Sequence, residues 1–293
     1  MSYNILVTGA KGQLGRSLRK VYEEQFKTQY EVFFTDIEEL DITNQGALED
    51  FIADNKIDIV INAAAYTAVD KAETDKENAF LLNQTAVRFI AELCQKYQIF
   101  LIHISTDYVF DGTSTVPYTP EMTINPLSVY GKSKAEGERE ILERNLRAAI
   151  VRTSWLYSPY GTNFVKTMLR LGNEKERLNV INDQVGAPTN AKDLATAIFA
   201  IINKRHLISS PQIFHYANEG TISWYDFARE IMTMSNLPCV VQPIRTEEYP
   251  TAAQRPQYSI FDLSKIKTQF ALSIPFWKDS LKRTLQEIKN NES

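Results

Sequence analysis

Five short apolar runs organise the first 157 residues of this chain: NILVTG (4–9), EVFFTD (31–36), IDIVINAAA (57–65), IFLIHIST (99–106) and RAAIVRTSWLY (147–157). Each is apolar throughout rather than alternating, the pattern of strands buried on both faces. Helix-patterned segments separate them. Leu14, Leu18, Val21, Tyr22 and Phe26 share one helical face; QGALEDFIADN and ENAFLLNQTAVRFIAELCQKY follow in their turns. In NPLSVYGKSKAEGEREILERN the expected cap is Asn125, with Pro126 in the first turn. Strict alternation of strand and helix, joined by right-handed crossovers, predicts an α/β fold with a Rossmann-type doubly wound parallel sheet.

Beyond Tyr157 the rhythm loosens, and prolines at 159, 188, 211, 238, 243, 250 and 256 punctuate shorter elements. The pattern predicts strands near 178–181 and 212–216 and helices near 162–172, 192–204, 223–235 and 276–290. The expected division is a dinucleotide-binding domain over 1–157, completed by later elements that return to its sheet, and a smaller mixed α/β substrate-binding lobe over 158–293.

Composition narrows the function. A net charge of −4 in 293 residues argues against a nucleic-acid binder. Cys94 and Cys239 stand far apart with no CxxC spacing, so neither a disulfide framework nor a zinc site is expected. No run approaches the ~20 apolar residues of a spanning helix, and MSYNILVTGA lacks a basic leader. The expected setting is the cytoplasm, without membrane contact.

TGAKGQLG follows the first strand and opens the first helix. Gly9 permits the tight turn, Gly12 lets backbone amides approach a pyrophosphate, and Gly15 lets helix and strand pack closely. Asp36 closes the second strand, where a carboxylate reaches adenosine ribose hydroxyls and disfavours a 2′-phosphate. Lys11 has the opposite tendency, so the cofactor is NADPH or NADH with the preference open. Asp41 and Ile42 are placed near the adenine. Ala63, Ala64 and Ala65 leave room for the cofactor at the end of the third strand.

YGKSK sets Tyr130 and Lys134 four residues apart, on one face of a helix. Reducing a ketone by hydride leaves an alkoxide that needs a proton. A tyrosine can supply it, and a lysine nearby is expected to lower the phenol's pKa. The fourth strand ends in ISTDYVFDG, at the sheet edge where ligands bind in such folds. Thr106 can therefore hydrogen-bond the substrate oxygen, with Ser105 and Asp107 beside it. His103, His206 and His215 form no ligand-spaced set, and His103 and His215 read as satisfied core residues.

Together TGAKGQLG, NAAAYTAVDKAE, ISTDYVFDG, YGKSKAEGE and NDQVGAPT resemble the extended short-chain dehydrogenase/reductases. More narrowly they resemble the dTDP-sugar reductases of rhamnose synthesis, nearly from end to end. The resemblance implies NAD(P)H-dependent reduction of the C4 ketone of dTDP-4-dehydro-L-rhamnose to dTDP-L-rhamnose. It implies Tyr130 as proton donor, Lys134 as its partner and ribose anchor, and Thr106 on the substrate. Gly12, Gln13 and Leu14 would touch the pyrophosphate. Thr106, Asp107 and Trp155 would hold the nucleotide sugar, and Gln184 within Asn182–Thr189 would lie over the nucleotide. Arg255 suits a diphosphate clamp. Some relatives resemble magnesium-bridged dimers that use a carboxylate just after the glycine loop. Gly15-Arg16-Ser17 offers none, so no metal and a monomer or weak homodimer are expected. Two rivals share the fold: another nucleotide-sugar epimerase or reductase, and a non-catalytic nucleotide-binding regulatory subunit. A dehydratase would want a second acid after Asp107, where Tyr108 stands.

Overall fold

The computed structural model describes residues 3–292. Its first half runs β1 (Tyr3–Thr8), α1 (Gln13–Val21), β2 (Tyr30–Thr35), α2 (Gln45–Asp54), β3 (Ile59–Asn62), α3 (Val69–Ala72), α4 (Lys76–Phe80), α5 (Ala86–Tyr97), β4 (Phe100–Thr106), α6 (Val129–Leu142) and β5 (Ala148–Thr153). Its second half runs β6 (Leu156–Tyr157), α7 (Phe164–Glu174), β7 (Arg177–Ile181), β8 (Val185–Gly186), β9 (Thr189–Asn190), α8 (Ala191–Asn203), β10 (Gln212–Tyr216), β11 (Ile222–Ser223), α9 (Trp224–Met234), β12 (Val240–Ile244), α10 (Ser264–Phe270) and α11 (Trp277–Glu292).

Six parallel strands form the main sheet in the order β10-β5-β4-β3-β1-β2. Successive residues of each strand serve opposite faces, which is why the runs are apolar throughout. Ile5, Val7, Ile59, Ile61, Phe100 and Ile102 pack with α1, α8 and α10. Leu6, Val60, Leu101 and Ile150 pack with α2, α5 and α6. The chain steps from β1 to β2 on one side, then continues from β3 on the other. That reversal opens a crevice at the carboxyl ends of β1 and β3.

The fifth-strand neighbour β10 comes from the second half and pairs with β5 from Gln212↔Ala149 to Tyr216↔Thr153. A separate cluster of α7, α9 and α11 covers the parallel pair β7–β12. Strands appear at 177–181 and 212–216, and helices at 164–174, 191–203, 224–234 and 277–292, close to the expected positions.

Three helices differ from their sequence readings. The face read from Leu14 to Phe26 ends in a π turn at Tyr22–Phe26. Helix α6 starts at Val129, and its cap is Ser128, whose hydroxyl accepts the Gly131 N–H at 3.1 Å. Asn125 is not the cap: its amide donates to Asp111 at 3.1 Å. Pro126 disfavours helix in the residue before it, and Ser128 offers the next capping side chain. The long segment 76–97 is helical but carries a π turn at Leu81–Thr85 between α4 and α5. There the Asn83 carbonyl meets α6 so closely that a Cβ on Gly137 would lie 2.1 Å from it. The Asn83 amide group also donates to Ser133 Oγ at 3.0 Å, so this turn sets how α6 approaches the sheet.

Candidate active site

The glycine loop fits a dinucleotide on structural grounds. Gly9 has φ +69°, and a Cβ there would sit 2.7 Å from Ala64 N; one on Gly15 would sit 2.3 Å from Gly9 O. Only glycine tolerates either place. Helix α1 has no side-chain cap and no acid in its first turn. Its leading amides are therefore left for an anion, as a pyrophosphate requires. Gln13 ties this loop to the small lobe by accepting from Ser158 Oγ at 3.0 Å and Asn163 Nδ2 at 2.9 Å.

A cleft of about 970 Å³ runs from this loop across the sheet edge. Every cofactor-site residue inferred above lines it: Gly9, Gly12, Gln13, Leu14, Gly15, Asp36, Asp41, Ile42, Ala63, Ala64, Ala65, Tyr130 and Lys134. At the glycine-loop end Asp36 Oδ2 accepts the Lys11 N–H at 2.8 Å. The Lys11 ammonium, exposed at the surface, pairs with Glu38 at 2.6 Å. Asp41 Oδ1 is held by Thr43, through its N–H at 2.9 Å and its hydroxyl at 2.7 Å.

At the other end Thr106, Asp107, Tyr130, Lys134 and Trp155 converge. Strand β4 delivers Thr106, and the 3₁₀ turn Asp107–Val109 follows at once. The Thr106 hydroxyl donates to Asp107 Oδ1 at 3.0 Å. Asp107 is buried, and the Thr106 and Ser259 hydroxyls both hydrogen-bond its carboxylate. Burial pushes the Asp107 carboxyl up to about 6, with the Thr106 hydroxyl opposing.

Tyr130 and Lys134 are both buried, one turn apart on α6. Burial pushes the phenol up to about 12, against the pull of the Thr106 hydroxyl. The Lys134 amine donates to the Ile104 carbonyl at 2.6 Å. Burial lowers Lys134 to about 8, with Glu138 opposing. Tyr130 is thus protonated at neutral pH, the form a donor needs. Tyr108 is no second acid; its ring packs edge-on against Tyr130, with centroids 5.4 Å apart.

Trp155 lies on the cleft wall rather than in the core, in a left-handed conformation (φ 48°) that a bulky residue adopts only under constraint. Its indole stacks on Trp224 with centroids 3.6 Å apart. Trp224 also lines the cleft and had no signal in the sequence beyond opening a helix after Ser223. Two inferred residues lie outside the cleft wall. Gln184 is buried and donates to Thr246 Oγ1 at 3.1 Å. Arg255 pairs with Asp70 at 2.6 Å, and its guanidinium holds that carboxyl below the usual range. Among the described residues no group of three or more His, Cys, Asp or Glu could hold a metal ion. None of their helices is long and apolar enough to cross a membrane.

A dinucleotide loop at the switch point, facing a tyrosine and lysine one helical turn apart, defines an extended short-chain dehydrogenase/reductase. Residues 3–290 match the family described as RmlD substrate binding domain. A dTDP-4-dehydrorhamnose reductase of Aggregatibacter actinomycetemcomitans is 42% identical over 287 residues, spanning 95% of this chain and 97% of the relative. The solved dTDP-4-dehydrorhamnose reductase of Clostridium acetobutylicum superposes with a TM-score of 0.92 at 40% identity, covering 98% of this chain and 99% of that one. The Bacillus anthracis enzyme, solved in complex with NADP, gives 0.92 at 38% identity, covering 98% and 100%. The chain belongs to the dTDP-4-dehydrorhamnose reductase family.

Proposed function

We propose that this protein reduces the C4 ketone of dTDP-4-dehydro-L-rhamnose to dTDP-L-rhamnose, with NADPH or NADH. The observation that carries the proposal is one continuous cleft with the glycine loop at one end and Thr106, Tyr130 and Lys134 at the other. The nicotinamide, when bound, supplies the hydride. Tyr130 gives its phenolic proton to the C4 oxygen, and Thr106 holds that oxygen by hydrogen bonding. Lys134 binds the ribose and stabilises the phenolate left behind. Asp107 accepts from a sugar hydroxyl, and Trp155, backed by Trp224, bears on the nucleotide sugar. Arg255 reaches the diphosphate by exchanging Asp70 for it.

The reading divides labour between a dinucleotide-binding lobe over 1–157, completed by β10 and α8, and a substrate lobe drawn mainly from 158–293. It includes a cytoplasmic setting, a monomer or weak homodimer, and no need for a divalent metal. Arg16 stands where a magnesium-bridged dimer would want an acid.

The test supplies purified protein with dTDP-4-dehydro-6-deoxyglucose, a 3,5-epimerase and NADPH or NADH, with and without EDTA. Stoichiometric cofactor oxidation with dTDP-L-rhamnose as product is expected, unchanged by EDTA. An isomerised sugar nucleotide formed without net cofactor oxidation would make the protein an epimerase, and no turnover a binding subunit. Loss of activity in EDTA, restored by magnesium, would overturn the metal-free reading.

Asp36→Ala is expected to shift preference toward NADPH, because a carboxylate beside the ribose repels a 2′-phosphate. The same change removes the hydrogen bond to Lys11 N and loosens the loop for both cofactors. The informative quantity is therefore the ratio of kcat/KM for NADPH over NADH. An unchanged ratio would place Asp36 away from the ribose.

A further inference from the structure

The left-handed backbone at Trp155 is strained, and a bulky residue stays at φ 48° only where its surroundings fix it there. Hydrogen bonds fix the main chain. Ser154 Oγ donates to the Ala187 carbonyl at 2.8 Å, and the Trp155 carbonyl accepts the Thr189 N–H at 3.2 Å. Both partners belong to the short stretch that carries β8 and β9, so the backbone about Trp155 is tied to one loop of the small lobe.

The ring is fixed separately. Strand β8 pairs antiparallel with β11, Ile222↔Gly186 and Ser223↔Val185. From β8 comes Gly186, where an added Cβ would sit 2.6 Å from Trp155 Cε2 and Cζ2. The indole thus lies against bare main chain. From β11 the chain passes through the capping box of Ser223 and Asp226 into Trp224, the first residue of α9. The Trp224 ring stacks on that of Trp155, with centroids 3.6 Å apart and planes 11° from parallel. Trp224 in turn rests on Phe164, with centroids 4.6 Å apart, and Phe164 stacks on the buried Phe227 at 5.6 Å. A column of rings therefore runs from the core of the small lobe to the cleft wall, where Trp155, Trp224 and Phe164 all appear. An aromatic stack is worth about as much as the strain of one left-handed residue, so this contact is strong enough to hold the indole.

We propose that Trp224 is a positioning residue for the nucleotide sugar: it acts through Trp155, whose indole it holds in the orientation that the ligand meets. The inference rests on the reading of Trp155 as a nucleotide-sugar contact. Without its stack, the half-buried Trp155 ring gains freedom about its side-chain torsions. The ligand then has to immobilise it on binding, and affinity falls.

The test is a double-mutant cycle on the full-length protein, read by calorimetric titration of dTDP-L-rhamnose beside kcat in the ketosugar assay. Trp224→Ala is expected to weaken binding about three- to tenfold, the effect of freeing one large side chain. Its kcat should stay within about twofold of wild type, because the loss is in binding and not at the reacting atoms. Trp224→Phe keeps a flat ring and should recover most of the affinity. In a Trp155→Ala background, Trp224→Ala should add nothing, since the indole through which it acts is already gone. Full additivity would make Trp224 a direct ligand contact and overturn the proposal. So would unchanged affinity in a folded Trp224→Ala protein. Should that variant not fold, Trp224→Leu keeps apolar volume without a flat face; the same weakening is expected, and wild-type affinity overturns the proposal equally. Binding needs no turnover. A cycle that closes as expected in a protein without ketosugar activity would sink the reductase reading and leave this inference standing. No loss of affinity in Trp155→Ala would sink the reading of Trp155, and this inference with it.

Discussion

Tyr130→Phe will bind NADPH about as tightly as the wild type and turn over ketosugar ~10²–10⁴-fold more slowly, the usual contribution of a positioned general acid. The substitution removes one oxygen from a ring whose packing against Tyr108 is otherwise kept. Binding should survive because the glycine loop, the Ala63–Ala65 wall and Lys134 are untouched. Turnover should not. The nearest alternative donor, Thr106, has a hydroxyl far too weakly acidic, and Asp107 is largely ionised at neutral pH with a carboxyl near 6. Single-turnover measurement of NADPH oxidation separates the two effects. A rate within about threefold of wild type would mean that another group, or water, delivers the proton.

Glu138→Gln is expected to destabilise the protein by about 3–5 kcal/mol, the usual result of stripping one partner from a buried ion pair. Glu138 stands on the same face of α6 as Tyr130 and Lys134, two turns beyond the first and one beyond the second. It is held from below by β5 and β4. Arg152 Nε donates to Oε1 at 2.8 Å, Arg152 Nη2 to Oε2 at 2.6 Å, and Ser105 Oγ to Oε1 at 2.5 Å. The two charged side chains are 1% and 2% exposed. Among the described residues Glu138 is the anion paired with Arg152, whose guanidinium also meets the Phe110 ring, 5.1 Å from its carbon, and His215 at 3.5 Å. Burial, and then the arginine charge, press His215 down to about 3, so it is neutral and cannot compensate. The glutamine variant leaves a guanidinium in the core without its counter-charge. Urea unfolding should show the loss, and the melting temperature should fall by roughly 10 °C in a chain of this size. Glu138→Leu with Arg152→Met, which removes both charges, should recover most of it. A loss below about 1 kcal/mol in the single variant would mean that the pair is not dry.

Local pattern alone made much of this protein legible. The continuous apolar runs were correct because a strand covered on both faces needs no alternation. The three glycines and the four-residue step from Tyr130 to Lys134 could be read because turn chemistry and helical periodicity act over a few residues. Elements without such a signal were missed. Strand β12 reads VVQPI, is mostly exposed and contains Pro243, which an edge strand tolerates and a pattern search rejects. The π turn at Leu81–Thr85 leaves the helical pattern of 76–97 intact and exists because Gly137 and Asn83 meet.

By itself, then, the sequence determined the doubly wound order of elements, the glycine turn and the step from Tyr130 to Lys134, since each is written within one element or one turn. Tertiary structure alone decided that Tyr130 and Lys134 are both buried, and that Arg255 rests on Asp70. It also decided that Trp224 backs Trp155, that Arg152 answers Glu138, and that Thr8, Asn62 and His103 form a row beside Lys134. Those pairs are brought together by strand register and by the faces that helices present to the sheet. Contacts between distant segments leave no period in the chain, because their spacing is set by the sheet and not by the helix or strand that carries each residue.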